Sequence, residues 1–169
     1  MKKILAIFIV AFCFSSCEKD DICADETTPR IILEFFDVSD PTVKKNVTAL
    51  RVTGFDDNGV QLSTPLETFS GVSVIKLPLK LTQAATKYSL VLNNTSTINR
   101  NEDFLQFDYS RQTLYVSRAC GYKTNFTLNS PNGVTRTDAT PADNFWIRFI
   151  NIQTTNITTE NEVHIKILF

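Results

Sequence analysis

Acid–base and nucleophilic catalysis need a proton acceptor beside a nucleophile. The chain offers one histidine, His164, set between Glu162 and Lys166. Its alternation with Val163 and Ile165 places it on the polar side of a strand, where an exposed, idle imidazole is expected. The serine-elbow pattern of hydrolases does not occur. Paired carboxylates for glycoside hydrolysis would have to come from Glu102, Asp103 and Asp108, which qualify only by being acids. Asp56, Asp57 and Asn58 carry the oxygen ligands calcium prefers, yet Gly59 follows too early for an EF-hand loop, and a hairpin tip accounts for the same residues. The five glycines are scattered and form no phosphate-cradling loop. The sequence therefore predicts no catalytic residue, no cofactor and no metal site; the expected protein is not an enzyme.

The four cysteines carry the remaining chemistry, and their neighbours decide which reaction each can enter. Met1-Lys2-Lys3 is a short cationic start, and an unbroken apolar run follows from Ile4 to Phe14. Eleven apolar residues suit the core of a secretory leader and fall well short of the ~20 needed to span a bilayer as a helix. Phe14-Ser15-Ser16-Cys17 then places small side chains before a thiol, with strong polarity directly after it. This looks like a lipobox, in which the thiol takes a diacylglyceryl group and the leader is cut before it. Cys17 is accordingly the expected lipidation site. Two or more acyl chains hold a protein stably on a membrane, at ~0.8 kcal/mol per buried methylene.

Cys13 leaves with the leader, so Cys23 and Cys120 remain as a pair in an oxidising compartment. A disulfide between them is the preferred reading; two free thiols, one of them in a strand core, is the alternative. The bridge would close nearly the whole domain, for which chain entropy suggests roughly 4–5 kcal/mol. With Cys17 acylated and Cys23 and Cys120 oxidised, no cysteine set for zinc is left. Only five residues separate Cys17 from Cys23, a reach of about 20 Å at most. Removing residues 1–16 leaves 153 residues, enough for one sizeable core. Lys2 and Lys3 go too, so the formal charge of −1 becomes −3. That balance gives no footprint for nucleic acid.

The elements that must position these groups read as strands. Ile75, Leu77, Leu79 and Leu81 alternate with Lys76, Pro78 and Lys80. Cys120, Tyr122, Thr124, Phe126 and Leu128 form a second period-two set, and Val163, Ile165, Ile167 and Phe169 a third. Strands are expected near 30–38, 46–55, 71–81, 86–93, 103–109, 112–119, 121–129, 145–155 and 161–168. Turns are expected at Asp56–Gly59, Asn93–Ser96, Tyr109–Gln112 and Ser130–Gly133. Pro78 points to an edge strand or a change of sheet. Trp146, within Phe145-Trp146-Ile147-Arg148-Phe149, reads as core packing rather than a sugar platform. The Asn-x-Thr triplets at Asn46, Asn125 and Asn156 read as polar strand residues. The expectation is an all-β chain: a single β-sandwich, immunoglobulin-like or related, of about eight or nine short antiparallel strands. Its parts are a leader (1–16), a lipidated N-terminus and acidic tether (17–29), and the sandwich (30–169).

Lys19, Asp20 and Asp21, following Glu18 beside the acylated cysteine, resemble the surface-export signal of Bacteroidota lipoproteins. The whole chain resembles an uncharacterised family of such proteins. The resemblance rests on Cys17-Glu18-Lys19-Asp20-Asp21-Ile22-Cys23, on Thr28-Pro29-Arg30 leading into Ile31-Ile32-Leu33-Glu34-Phe35-Phe36-Asp37, and on Ala119-Cys120-Gly121-Tyr122. It implies an envelope location and a shared role for Cys23 and Cys120, and no activity. The expected place is the outer membrane, held by lipid on Cys17, with the cell surface favoured over the periplasmic face. A non-catalytic module with an envelope protein partner is the leading functional reading. A surface module binding a glycan or small ligand is the alternative.

Overall fold

A computed structural model describes Cys23 and residues 27–169. The expected leader, the lipidation site Cys17 and the export signal Lys19, Asp20 and Asp21 lie outside the described residues. Eleven strands follow one another: β1 (Ile31–Phe36), β2 (Leu50–Gly54), β3 (Glu67–Phe69), β4 (Val74–Leu77), β5 (Ala85–Leu92), β6 (Asn101–Ser117), β7 (Gly121–Leu128), β8 (Val134–Asp138), β9 (Phe149–Ile152), β10 (Asn156–Ile157) and β11 (Ile165–Leu168). No helix occurs among the described residues. The chain is all-β, as its alternation requires. One sheet runs β4-β1-β11-β9, and a second of seven strands runs β10-β7-β6-β5-β2-β3, with β8 also on β6.

The two sheets share one core. Ile31, Leu33, Phe35, Ile75, Leu77, Ile165 and Ile167 from the first meet Leu50, Val52, Leu90, Leu105, Phe107, Phe126 and Leu128 from the second. Every one sits at an alternate position of its strand, so the period-two pattern is the direct cause of the sandwich-like burial. β1 departs from alternation because it is central: β4 and β11 flank it and both of its faces are covered. On the outer face, Lys44 pairs with buried Glu34 at 2.5 Å and Lys166 lies 4.8 Å from the Phe36 ring centre.

Several expectations need correction. The β1–β11 pair is parallel, with Leu33 opposite Ile165 and Phe36 opposite Leu168, so the fold is not wholly antiparallel. Residues Tyr109–Gln112 are not a turn. They run through the middle of β6, a 17-residue strand. Ser110 and Gln112 look turn-like in isolation, but pairing to Thr127 and Asn125 keeps them extended. The Ser130–Gly133 turn is realised, but it joins no hairpin. β7 and β8 both pair antiparallel with β6, one after the other, and Asp108 bridges the gap by donating to the Gly133 carbonyl and accepting from Asn129 N–H. Gly133 is required there, since a Cβ would stand 2.5 Å from the Asn129 carbonyl oxygen. β3, β8 and β10 were not foreseen; each is short and gains its place from pairing. Residues 145–148 are not in a strand, although Trp146 and Ile147 are buried as the apolar run suggests.

Other signals are realised as read. β4 ends at Leu77, on the edge of its sheet, and the chain crosses at Pro78 toward the other sheet. At Asp56–Gly59 the Asp56 carboxylate accepts from the N–H groups of Asn58 (2.9 Å) and Val60 (2.7 Å), while Gly59 takes a positive φ of 78°. The segment is a turn held by its own aspartate.

Candidate functional site

Three places bring polar or aromatic side chains together: a buried acid on β6, a cleft beside β5, and the arm formed by β6 and β7.

The buried acid is Asp103. It stands in phase with Leu105, Phe107 and Tyr109, on the face that enters the core, and is fully buried. Its Oδ2 accepts from Ile147 N–H at 2.8 Å, and its Oδ1 makes no hydrogen bond. Burial, with the nearby charges of Asp138 and Asp143, pushes its carboxyl up to about 6, while the Ile147 bond and Arg136 pull the other way. The neighbouring polar groups all serve one end. The Arg136 guanidinium donates to the carbonyls of Ile147 and Arg148 and lies 3.8 Å from the Phe145 ring centre. Asn101 Nδ2 donates to the Asn144 carbonyl at 2.6 Å, and Trp146 Nε1 to the Leu90 carbonyl at 3.1 Å. Together they fasten segment 143–148, which has no strand of its own, across β5 and β6. A raised acid can mark a catalytic centre; here its bonded oxygen is spent on the backbone. Glu102 points to the opposite face, where Ser89 and Arg100 hold it. Asp108 is bonded to Gln106. The three acids considered for glycoside hydrolysis are thus not brought into one site.

His164 corrects a sequence expectation: it is buried, not exposed. The residue sits just before β11 and closes the end of the β1 ladder. Its backbone N–H donates to the Ile32 carbonyl, and its Nδ1 accepts from Ile32 N–H at 2.9 Å. The imidazole replaces a missing strand carbonyl, so it has a structural task and must stay neutral at Nδ1. Burial lowers its proton affinity, partly offset by Glu162 and Glu160.

The cleft lies between the 55–66 connection and β5. Phe55, Leu62, Pro65, Leu66 and Tyr88 line about 390 Å³, with Lys87 at its mouth. Lys87 Nζ stands 4.8 Å from the ring centres of both Phe55 and Phe104. The volume suits a small apolar ligand. No group of three or more His, Cys, Asp or Glu residues suited to a metal occurs among the described residues.

The arm is the most unusual feature. At ~3.3 Å per residue β6 extends roughly 56 Å. β5 pairs with it only from Asn101 to Asp108 and β8 only from Asp103 to Phe107. Beyond that, β7 is its sole neighbour on the ladder, and β10 covers only Phe126 and Thr127 of β7. Residues 112–125 therefore form a two-stranded ribbon leaving the sandwich. Isolated ribbons are marginal in water, and this one is held from the N-terminal side. Cys23 and Cys120 are joined as a disulfide, with Cα atoms 4.9 Å apart, at the ribbon's tip. Thr28 Oγ1 accepts from Thr124 N–H at 2.9 Å. Two residues on, Arg30 pairs with Glu160 at 2.8 Å, and Lys76 joins the same carboxylate at 3.0 Å. These cations hold the Glu160 carboxyl down at about 2. The N-terminal strap is clasped at both ends of its described length.

Tyr115 and Tyr122 face each other across the ribbon, ring centres 5.4 Å apart and ring planes at 68°. They continue the core face of β6 and β7 past the edge of the core, which is why alternation alone grouped Tyr122 with Phe126 and Leu128. The structure leaves them 58% and 71% exposed. The sequence held one signal for this: Arg118-Ala119-Cys120-Gly121 between them is a tight, polar tip, with Gly121 at a φ of 67°.

No curated protein matches the chain, and no solved structure matches it. Residues 49–169, which take in β2 to β11 and leave out β1, match DUF6452, described as a family of unknown function. That span is well over half of the chain, and the protein belongs to this family of unknown function, DUF6452.

Proposed function

We propose that the protein is a lipid-anchored, non-catalytic module of a bacterial outer membrane, acylated at Cys17 after removal of residues 1–16, with residues 17–29 as tether and 30–169 as body. One observation carries the reading: the Phe14-Ser15-Ser16-Cys17 junction between an apolar leader core and an acidic segment. Cys23, six positions on, is fastened by a disulfide to the domain, as a short tether in an oxidising compartment would have it. Among the described residues no helix is long and apolar enough to cross a membrane. The resemblance to Bacteroidota surface lipoproteins at Lys19, Asp20 and Asp21 favours the outward leaflet.

An interaction role with another envelope protein fits the way the polar clusters are used. Asp103, Arg136 and His164 each bind backbone, and the unbonded Asp103 Oδ1 is buried in the core. β9 is an edge strand with Phe149 and Ile152 exposed, a surface onto which another chain could add. The cleft beside Tyr88 favours the alternative, a small apolar or saccharide ligand. Metabolic labelling with an alkynyl palmitate tests the anchor. The wild type should carry label in the membrane fraction, and C17S should lose label and appear in the soluble fraction. Equal labelling of C17S would reject the proposal.

A further inference from the structure

We infer that the tip of the β6–β7 ribbon is a membrane-contact device, whose Tyr115–Tyr122 pair enters the headgroup layer of the bilayer that carries the protein. The inference rests on the anchoring proposed above and concerns what the body does once held there.

Three observations converge on the tip. The first is reach. Cys120 is bonded to Cys23, and the five residues between Cys23 and Cys17 span about 20 Å at most. Tyr122 is two residues from Cys120 along the strand, or about 7 Å, and Tyr115 lies directly opposite it. The tether thus draws the ribbon tip toward the acylated residue. The second is side-chain type. Two tyrosines exposed on a ribbon in water forgo burial of large apolar rings, whereas at a headgroup layer the ring is shielded and the hydroxyl stays wet. The third is charge. The chain holds 18 acidic residues, yet none between Asp108 and Asp138, a stretch containing Arg111, Arg118, Lys123 and Arg136. Arg111 is engaged with the Leu81 carbonyl and Arg136 with Ile147, so Arg118 and Lys123 are the cations the tip presents. A body that is acidic overall turns a cationic, aromatic tip toward its own anchor, which suits anionic headgroup phosphates.

The test uses the full lipidated protein in vesicles of phosphatidylcholine with about a third phosphatidylglycerol. Trp146 is buried against Phe35 and Phe169, so wild-type fluorescence provides a background that lipid cannot reach. Y122W adds a reporter at the tip. The expected result is a blue-shifted emission component in Y122W that dibrominated phosphatidylcholine quenches at least two-fold, with wild-type emission unchanged. Replacing both basic residues (R118Q/K123Q) should reduce that quenching, as should raising the salt to 1 M. Co-flotation with the vesicles, with Y122W unquenched, would overturn the tip contact and leave the anchor standing. Failure to float, with residue 17 unmodified by mass, would overturn both. A blue shift that grows with protein concentration but resists brominated lipid would assign the tyrosines to a protein interface, and quenching by added glycan but not lipid would assign them to saccharide; either overturns the inference.

Discussion

Replacing Asp103 with asparagine should stabilise this protein at neutral pH and do so less, or not at all, in acid. Asp103 is fully buried on the core face of β6, with one oxygen accepting from Ile147 N–H and the other unbonded. Its carboxyl titrates near 6 in the fold, against 3.8 for an unperturbed aspartate. The native state therefore holds a proton between about pH 4 and 6 that the unfolded chain releases. Stability is fully present below pH 4 and falls as pH rises through 6. Roughly two units at 1.36 kcal/mol each make this about 3 kcal/mol. In D103N the side-chain carbonyl keeps the Ile147 bond, and the amide group takes the place of the unbonded oxygen at a cost of about 1–3 kcal/mol that is the same at every pH. The difference between variant and wild type should thus move by about 3 kcal/mol in the variant's favour from pH 4 to pH 8. Urea unfolding followed by Trp146 fluorescence at the two pH values measures it. A difference that stays constant, or moves the other way, would show that the buried carboxyl is not the cost assigned to it.

Further expectations follow from the same contacts. His164 has a lowered proton affinity in the fold, so its contribution is complete above its unfolded value of about 6.5 and is lost as pH falls below it; in D103N, where the opposing Asp103 slope is gone, urea midpoints should decline from pH 7 to 5, and a flat profile would contradict a buried neutral imidazole. Removing the disulfide with C23S or C120S, across a separation of 97 residues, should cost about 2–4 kcal/mol and raise amide exchange in residues 112–125; unchanged exchange there would mean the clasp does not hold the ribbon. G133A should cost about 1–3 kcal/mol, because the new methyl meets the Asn129 carbonyl and the Leu128 Cβ; a calorimetric midpoint equal to wild type would show that the turn yields.

The sandwich-like pairing of sheets was legible wherever burial alternates with exposure, as in β7 and the Asn101–Tyr109 half of β6. It was not legible where tertiary pairing outweighs local chemistry. Tyr109-Ser110-Arg111-Gln112 carries polar residues suited to a turn, yet pairing with β7 keeps it extended. β1 reads as continuous apolar chain because it is flanked on both sides and covered on both faces, including by the Lys44–Glu34 pair. His164 was misplaced because alternation assigns it to the outer face, and period alone cannot reveal that its ring substitutes for a ladder carbonyl. Asp103 was visible in principle: it keeps phase with Leu105 and Phe107, and an acid in phase with core residues is itself the signal. Tyr115 and Tyr122 show the reverse, a core-like phase that outruns the core. The Cys23–Cys120 bridge was the preferred reading of the pair left once Cys13 and Cys17 are assigned to an expected leader and lipidation site, and the two cysteines are joined.

The proposed lipid anchor depends on the chemistry at residue 17. Intact-mass spectrometry of the protein extracted from its own membranes should find a polypeptide beginning at Cys17 and heavier than residues 17–169 by a diacylglyceryl group, with or without a further acyl chain. A chain that keeps residues 1–16, or that is trimmed elsewhere with Cys17 bare, would contradict it.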